Sequence, residues 1–229
     1  MEIVVTTTAA DAAVETARWI GRRIRTAVRS RGVCRFAVSG GSSIPPLFDA
    51  LVAIDGLPWK QVHVFQVDER IAPDGHVDRN ANDLLAHLVE PARLPKRNVH
   101  LMPVTRASLS GAARAYAMAL GDEPLDIVHL GMGEDGHTAS WPPGDEITVA
   151  ATETVAVTGV FNGRQRMTLT PVAVNSARSR VALIAGAGKA EPLARWMLGA
   201  PDLPISHLRR AKTTVIADSA AAARLQTSR

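Results

Sequence analysis

The chain of 229 residues carries 46% hydrophobic and 21% charged side chains, which is ordinary for a globular α/β protein and enough for one large core. Its single cysteine, Cys34, excludes an internal disulfide and a cysteine-rich zinc site; a buried structural thiol is expected. The net charge of +4 is spread along the chain without an aromatic–basic stacking platform, which argues against a nucleic-acid partner. No apolar run approaches the roughly 18 residues of a membrane span, and the N-terminus lacks a signal-peptide pattern, so a cytoplasmic location is expected.

Residues 6–32 read as a strand end, a cap and a helix. Thr8 and Asp11 have capping-box spacing, Val14, Ala17, Ile20, Ile24, Ala27 and Val28 recur at helical period, and Gly32 stops the run. Arg18, Arg22, Arg23, Arg25 and Arg29 then form a solvated face. A short strand over 35–39 leads into Gly40-Gly41-Ser42-Ser43, with Pro45 in the first turn of the next helix. Such a helix start is an anion site without the lysine of a nucleoside-triphosphate loop; a plain turn fits it equally well.

A strand over 61–67 ends in Asp68-Glu69-Arg70, charges that are costly to bury unless paired or met by a ligand. The loop 71–79 carries His76, read as solvated, and a helix follows over 80–89. A strand over 99–102 and a helix over 107–120 come next. The apolar run 125–130 is a buried strand that opens into LGMGEDGHTAS at 130–140, with Glu134, Asp135 and His137 at its tip. Short strands at 154–157 and 167–169 flank a polar bend containing Asn162, Gly163, Arg164 and Arg166, and residues 171–178 suit a short helix. The strand 181–185 runs into Gly186-Ala187-Gly188-Lys189 and a helix bearing Leu193 and Trp196. A last strand spans 213–217, and the alanine-rich tail is expected to fray.

Strand–helix alternation predicts one domain over 1–229: a three-layer α/β fold with a mostly parallel, Rossmann-like sheet and helices on both faces. Polar corners at 39–43, 68–70, 131–137 and 186–189 then converge on one rim, which marks a ligand site. Gly131, Gly133 and Gly136 also spell a dinucleotide pattern, but Pro142 and Pro143 forbid the long helix it requires, so that reading is rejected.

These corners resemble the 6-phosphogluconolactonase family, relatives of the glucosamine-6-phosphate deaminases. VSGGSS (38–43), VDER (67–70), LGMGEDGHTAS (130–140), RMTLTPVAVNSAR (166–178) and GAGKAEPL (186–193) occur in family order over nearly the whole chain. Two stretches depart from the family pattern: Trp141-Pro142-Pro143 stands where Leu-Phe-Pro is usual, and Phe161-Asn162-Gly163-Arg164-Gln165 replaces a proline-rich lead. Both are expected to affect the pocket rim.

The resemblance implies hydrolysis of 6-phospho-D-glucono-1,5-lactone, a sugar-phosphate substrate, with no cofactor and no metal. His137 would be the general base, with Asp135 or Asp68 orienting the imidazole or the water. Gly40, Gly41, Ser42, Ser43 and Gly136, with Arg166 and Lys189, would receive the substrate and its phosphate; Arg70 would join them or pair with its neighbours. An amino-sugar-phosphate deaminase is disfavoured because no acidic residue follows His137 in Ser140-Trp141-Pro142-Pro143. A non-catalytic sugar-phosphate sensor would have no need of that histidine.

Overall fold

The computed structural model describes residues 1–145, 148 and 150–225. Among them, seven strands form a wholly parallel sheet: β1 (Glu2–Thr6), β2 (Cys34–Val38), β3 (Val62–Gln66), β5 (Val99–His100), β6 (Ile127–Leu130), β9 (Arg180–Ile184) and β10 (Thr213–Asp218). Their spatial order is β1-β10-β9-β6-β2-β3-β5. Three more, β4 (Asp68–Arg70), β7 (Val155–Val157) and β8 (Arg166–Leu169), make a separate antiparallel sheet of order β4-β8-β7. The helices are α1 (Ala9–Arg31), α2 (Ile44–Val52), α3 (Asn80–Asp83, extended by a π-helical turn to Val89), α4 (Leu109–Leu120), α5 (Pro171–Ser176) and α6 (Ala190–Met197).

Side chains alternate across the main sheet, and both faces are covered, as a parallel sheet requires. Phe36, Val64, Ile127 and Leu183 pack with Ile20 and Ile24 of α1 and Phe48 and Leu51 of α2. Phe65, Val128, Leu130 and Ala182 on the other face pack with Tyr116 of α4, Leu193 and Trp196 of α6, and Met167 and Leu169 of the small sheet. Cys34 is buried within β2. On α1 the capping box is formed, and Gly32 ends the helix at φ 77°. Its arginine face is occupied locally: Arg18 and Arg22 meet Glu15, Arg25 donates to the Asp55 carbonyl, and Arg23 lies 3.5 Å from the Trp19 ring centroid.

Three expectations change. The strand thought to end in Asp68-Glu69-Arg70 stops at Gln66, and those residues form β4 of the second sheet. Val67 makes the crossing: its N–H donates to the Val38 carbonyl and its carbonyl accepts from Leu169 N–H. The strand at 99–102 shortens to two residues, because Met102 N–H donates to the Gln66 side chain (2.8 Å) instead of a neighbouring strand. The tail does not fray through 225: Ala221 is buried and its N–H donates to the Asp218 carboxylate. The rest of that tail, 226–229, lies outside the described residues. No helix among the described residues is long and apolar enough to cross a membrane.

His129, on β6, is fully buried with no hydrogen-bond partner for either ring nitrogen among the described residues. Burial pulls its pKa down to about 3. In the unfolded chain it takes up a proton below about pH 6.5, whereas the folded chain refuses it. Stability should therefore fall by about 1.4 kcal/mol per pH unit between those two values, or about 2 kcal/mol by pH 5. His129→Leu should lose less stability than the parent between pH 7 and pH 5 in urea denaturation. Equal losses would contradict this account.

Candidate active site

From β2 the chain runs outward to β3 and β5 on one side of the sheet, and to β6, β9 and β10 on the other. The loops leaving β2 and β6 therefore part at adjacent strand ends, which opens a crevice in doubly wound sheets. A cleft of about 480 Å³ lies there. Its walls are Gly40, Gly41, Ser42 and Ser43 after β2, Gly133 and His137 after β6, Lys189 after β9, and Asp68, Arg70 and Arg166 from the small sheet. The sequence-derived corners thus meet in one place. Gly136 and Asp135 do not line the cleft.

The turn into α2 requires a glycine at Gly40, because a Cβ there would lie 1.9 Å from Asn80 Oδ1. Asn80 donates to the Asp68 carbonyl (3.0 Å) and accepts from Arg70 Nη1 (2.6 Å), so it ties this turn to the small sheet. Ser43 leaves its hydroxyl off the α2 cap. Ala9 and Ala10, in the first turn of α1, also face the cleft and add a second helix N-terminus. The sequence marked the start of α1 but gave no sign that it sits on this rim, and nothing in the spacing pointed to Asn80.

In β4 successive side chains take opposite faces. Asp68 and Arg70 face the cleft, with Thr168 and Arg166 opposite them in register. Asp68 is buried and accepts from Ser140 Oγ at 2.7 Å. Burial raises its pKa, and the Ser140 bond and the charges of Arg70 and Arg166 only partly offset that rise. Arg70 donates from Nη1 to the Asp78 carbonyl and Asn80, so it is partly committed internally. The Nε atoms of Arg70 and Arg166 are buried without an acceptor among the described residues. Arg166 lies 5.1 Å from the Phe161 ring centroid. Two guanidinium side chains lining a polar cleft suit an anionic ligand.

The tip after β6 folds back on itself: Gly133 N–H donates to the His137 carbonyl, and Gly136 N–H to the Gly133 carbonyl. The His137 ring then lies over Gly133, where a Cβ would be 2.0 Å from Nδ1. Nδ1 is 2.6 Å from Asp135 Oδ1, which also accepts the His137 backbone N–H at 3.1 Å. Burial would raise the Asp135 pKa, but the His137 hydrogen bonds and charge outweigh it and the net shift is downward. An ionised Asp135 fixes Nδ1 as the protonated nitrogen and leaves Nε2 as the basic one. Asp135, not Asp68, is thus the carboxylate on the imidazole. Gly136 packs against Leu203 and serves the turn. Trp141, expected on the rim, is fully buried in the core and donates from Nε1 to the Leu169 carbonyl at 2.8 Å. It anchors this loop to β8.

A family model described as glucosamine-6-phosphate isomerases/6-phosphogluconolactonase matches residues 7–217. The chain belongs to this family. It is 36% identical to the 6-phosphogluconolactonase of Synechocystis sp., over 75% of this chain and 74% of that one. It is also 36% identical to that of Rhizobium meliloti, over 77% and 78%. Among solved structures, a 6-phosphogluconolactonase from Trypanosoma cruzi superposes with a TM-score of 0.86 at 25% identity, covering 99% and 97% of the two chains. A monomeric glucosamine-6-phosphate deaminase reaches 0.86 at 18% identity, covering 98% of this chain and 100% of that one, and shares the fold.

The raised pKa of Asp68 gives a test with a definite sign. Its neutral form suits the fold, so the stability it contributes is full below the unfolded value near 3.8 and is lost as pH rises through the folded value. Asp68→Asn keeps an acceptor for Ser140 and should raise the urea midpoint at pH 7 but not at pH 3. A midpoint lowered equally at both would show that the ionised carboxylate supports the fold.

Proposed function

We propose that this chain is a cytoplasmic hydrolase of 6-phospho-D-glucono-1,5-lactone, producing 6-phospho-D-gluconate in the oxidative pentose phosphate pathway. The carrying observation is that His137, held at Nδ1 by Asp135, lines one cleft with the cationic side chains of Arg166 and Lys189. A base and cationic groups in one cleft are what a phosphorylated lactone needs.

In this reading the substrate phosphate rests on Gly41, Ser42 and Ser43, with charge from Arg166, Lys189 and Arg70. His137 Nε2 takes a proton from water as its oxygen bonds to the lactone carbonyl carbon. The tetrahedral intermediate collapses by breaking the bond to the ring oxygen, and the imidazolium returns its proton to that oxygen. The new carboxylic acid ionises, releasing one proton to solution. Asp135 steadies the imidazolium, and Asp68, held by Ser140, lies among the cleft arginines to position the water or a sugar hydroxyl. A lactone carbonyl is reactive enough for this chemistry to need no metal. The deaminase alternative gains nothing from the structure, since Trp141 lies in the core and brings no carboxylate to the rim.

Acid release from freshly prepared 6-phosphogluconolactone, followed with and without the protein, tests the reaction. Acceleration well above the spontaneous rate is expected, and equal rates would refute it. Arg166→Met should lower kcat/KM for the phosphorylated lactone by roughly 10- to 100-fold, the loss of one charge-assisted contact. The constant for unphosphorylated gluconolactone should barely change. Equal losses on both substrates would remove Arg166 from the phosphate.

A further inference from the structure

The strands β7 and β8 are joined by a hairpin that sets Phe161 against the cleft residues His137 and Arg166. Asn162 and Gly163 both have positive φ, 49° and 77°, between the paired residues Phe161 and Arg164. Asn-Gly with two positive φ angles makes the tight turn whose twist matches paired strands. Thr158 N–H donates to the Arg166 carbonyl, and Phe161 N–H to the Arg164 carbonyl. Gly159 and Val160 therefore oppose Gln165 alone, a bulge of the kind that re-aims a side chain. The tip is also tied down: Arg164 donates to the Asp78 carboxylate and contacts His76 Nε2 at 3.1 Å, and Ile71 N–H donates to the Gln165 carbonyl.

The side chain so presented is Phe161. Its ring meets His137 edge-on, with centroids 5.2 Å apart and planes at 77°, and it also carries the Arg166 guanidinium at 5.1 Å. Asp135 holds the His137 ring at Nδ1 and Gly133 lies against that side of it, but a single hydrogen bond does not set the tilt of the ring plane about that contact. The aromatic edge supplies the second point of fixation. We propose that Phe161 is a positioning residue for His137: with Asp135 it fixes the imidazole plane, and it places the base at a set distance from the anion-binding Arg166. This rests on the lactonase reading for its kinetic consequence, but not for the contact itself.

Phe161→Leu keeps apolar bulk without a ring, and Phe161→Tyr keeps the ring. An aromatic pair of this geometry corresponds to roughly a 3- to 10-fold effect. The Leu variant should lose that factor in kcat on 6-phosphogluconolactone, with a smaller change in KM, and the Tyr variant should stay near the parent. In NMR relaxation, the order parameters of the His137 imidazole C–H bonds, assigned against His137→Asn, should fall in the Leu variant and hold in the Tyr variant. Unchanged kcat and unchanged His137 order parameters in the Leu variant would overturn the proposal. So would a loss confined to KM, which would leave Phe161 serving Arg166 alone. If the parent itself fails to accelerate lactone hydrolysis, the lactonase reading falls, and the His137 order parameters still decide whether Phe161 fixes the ring.

Discussion

The buried carboxylate of Glu69 is the interaction on which the cleft depends. It is fully enclosed and accepts hydrogen bonds from the Gln66 side-chain amide and the backbone N–H groups of Arg70, Asn80 and Ala81, with the Arg79 guanidinium as its ion-pair partner, Nε at 3.1 Å. A buried carboxylate is tolerable only when its lone pairs are filled in this way. Meeting that demand folds the loop 71–79 back onto β4 and sets Asn80 at the start of α3. Asn80 then reaches Gly40, Arg70 and the Asp68 carbonyl together. One satisfied charge thus joins the turn after β2, the arginine face and the carboxylate that looks into the cleft.

The functional charges are arranged by the same pleat and by one tight turn. Alternation in β4 sends Asp68 and Arg70 to the cleft while Glu69 goes to the framework. Asp135 and His137, two residues apart on a turn, can share a hydrogen bond because Gly133 leaves the space beneath them. The two carboxylates of the site are driven apart in proton affinity, Asp68 upward by burial and Asp135 downward by the histidine. That separation lets one remain an anion beside the imidazole while the other can carry a proton.

Much of this was legible because glycines and charges cluster where apolar strands end. The corners at 39–43, 131–137 and 186–189 needed only strand ends and the rule that such ends face one rim. What escaped the sequence depends on partners far along the chain. Asp68 and Glu69 look interchangeable until β4 is known to pair with β8, and only then does the pleat assign their faces. Asn80 has no motif, since its role comes from a contact with Gly40. Trp141 departs from the family pattern in a motif loop, yet its indole fills the core and caps a β8 carbonyl. The Asn162-Gly163 pair was a readable hairpin signal, but short flanking strands made it look like an irregular bend, and the bulge that aims Phe161 has no mark in composition.

The account stands or falls on His137 as the proton carrier. The direct measurement is turnover of 6-phosphogluconolactone by His137→Asn, paired with calorimetric binding of 6-phosphogluconate to the same protein. Asparagine keeps a polar side chain that can still hydrogen-bond but cannot accept the proton. The account predicts a fall in kcat of about 10²- to 10⁴-fold, with the product dissociation constant within a few-fold of the parent, because the phosphate is held elsewhere. Turnover within a few-fold of the parent would contradict it and move the base to another group, with Asp68 first in line.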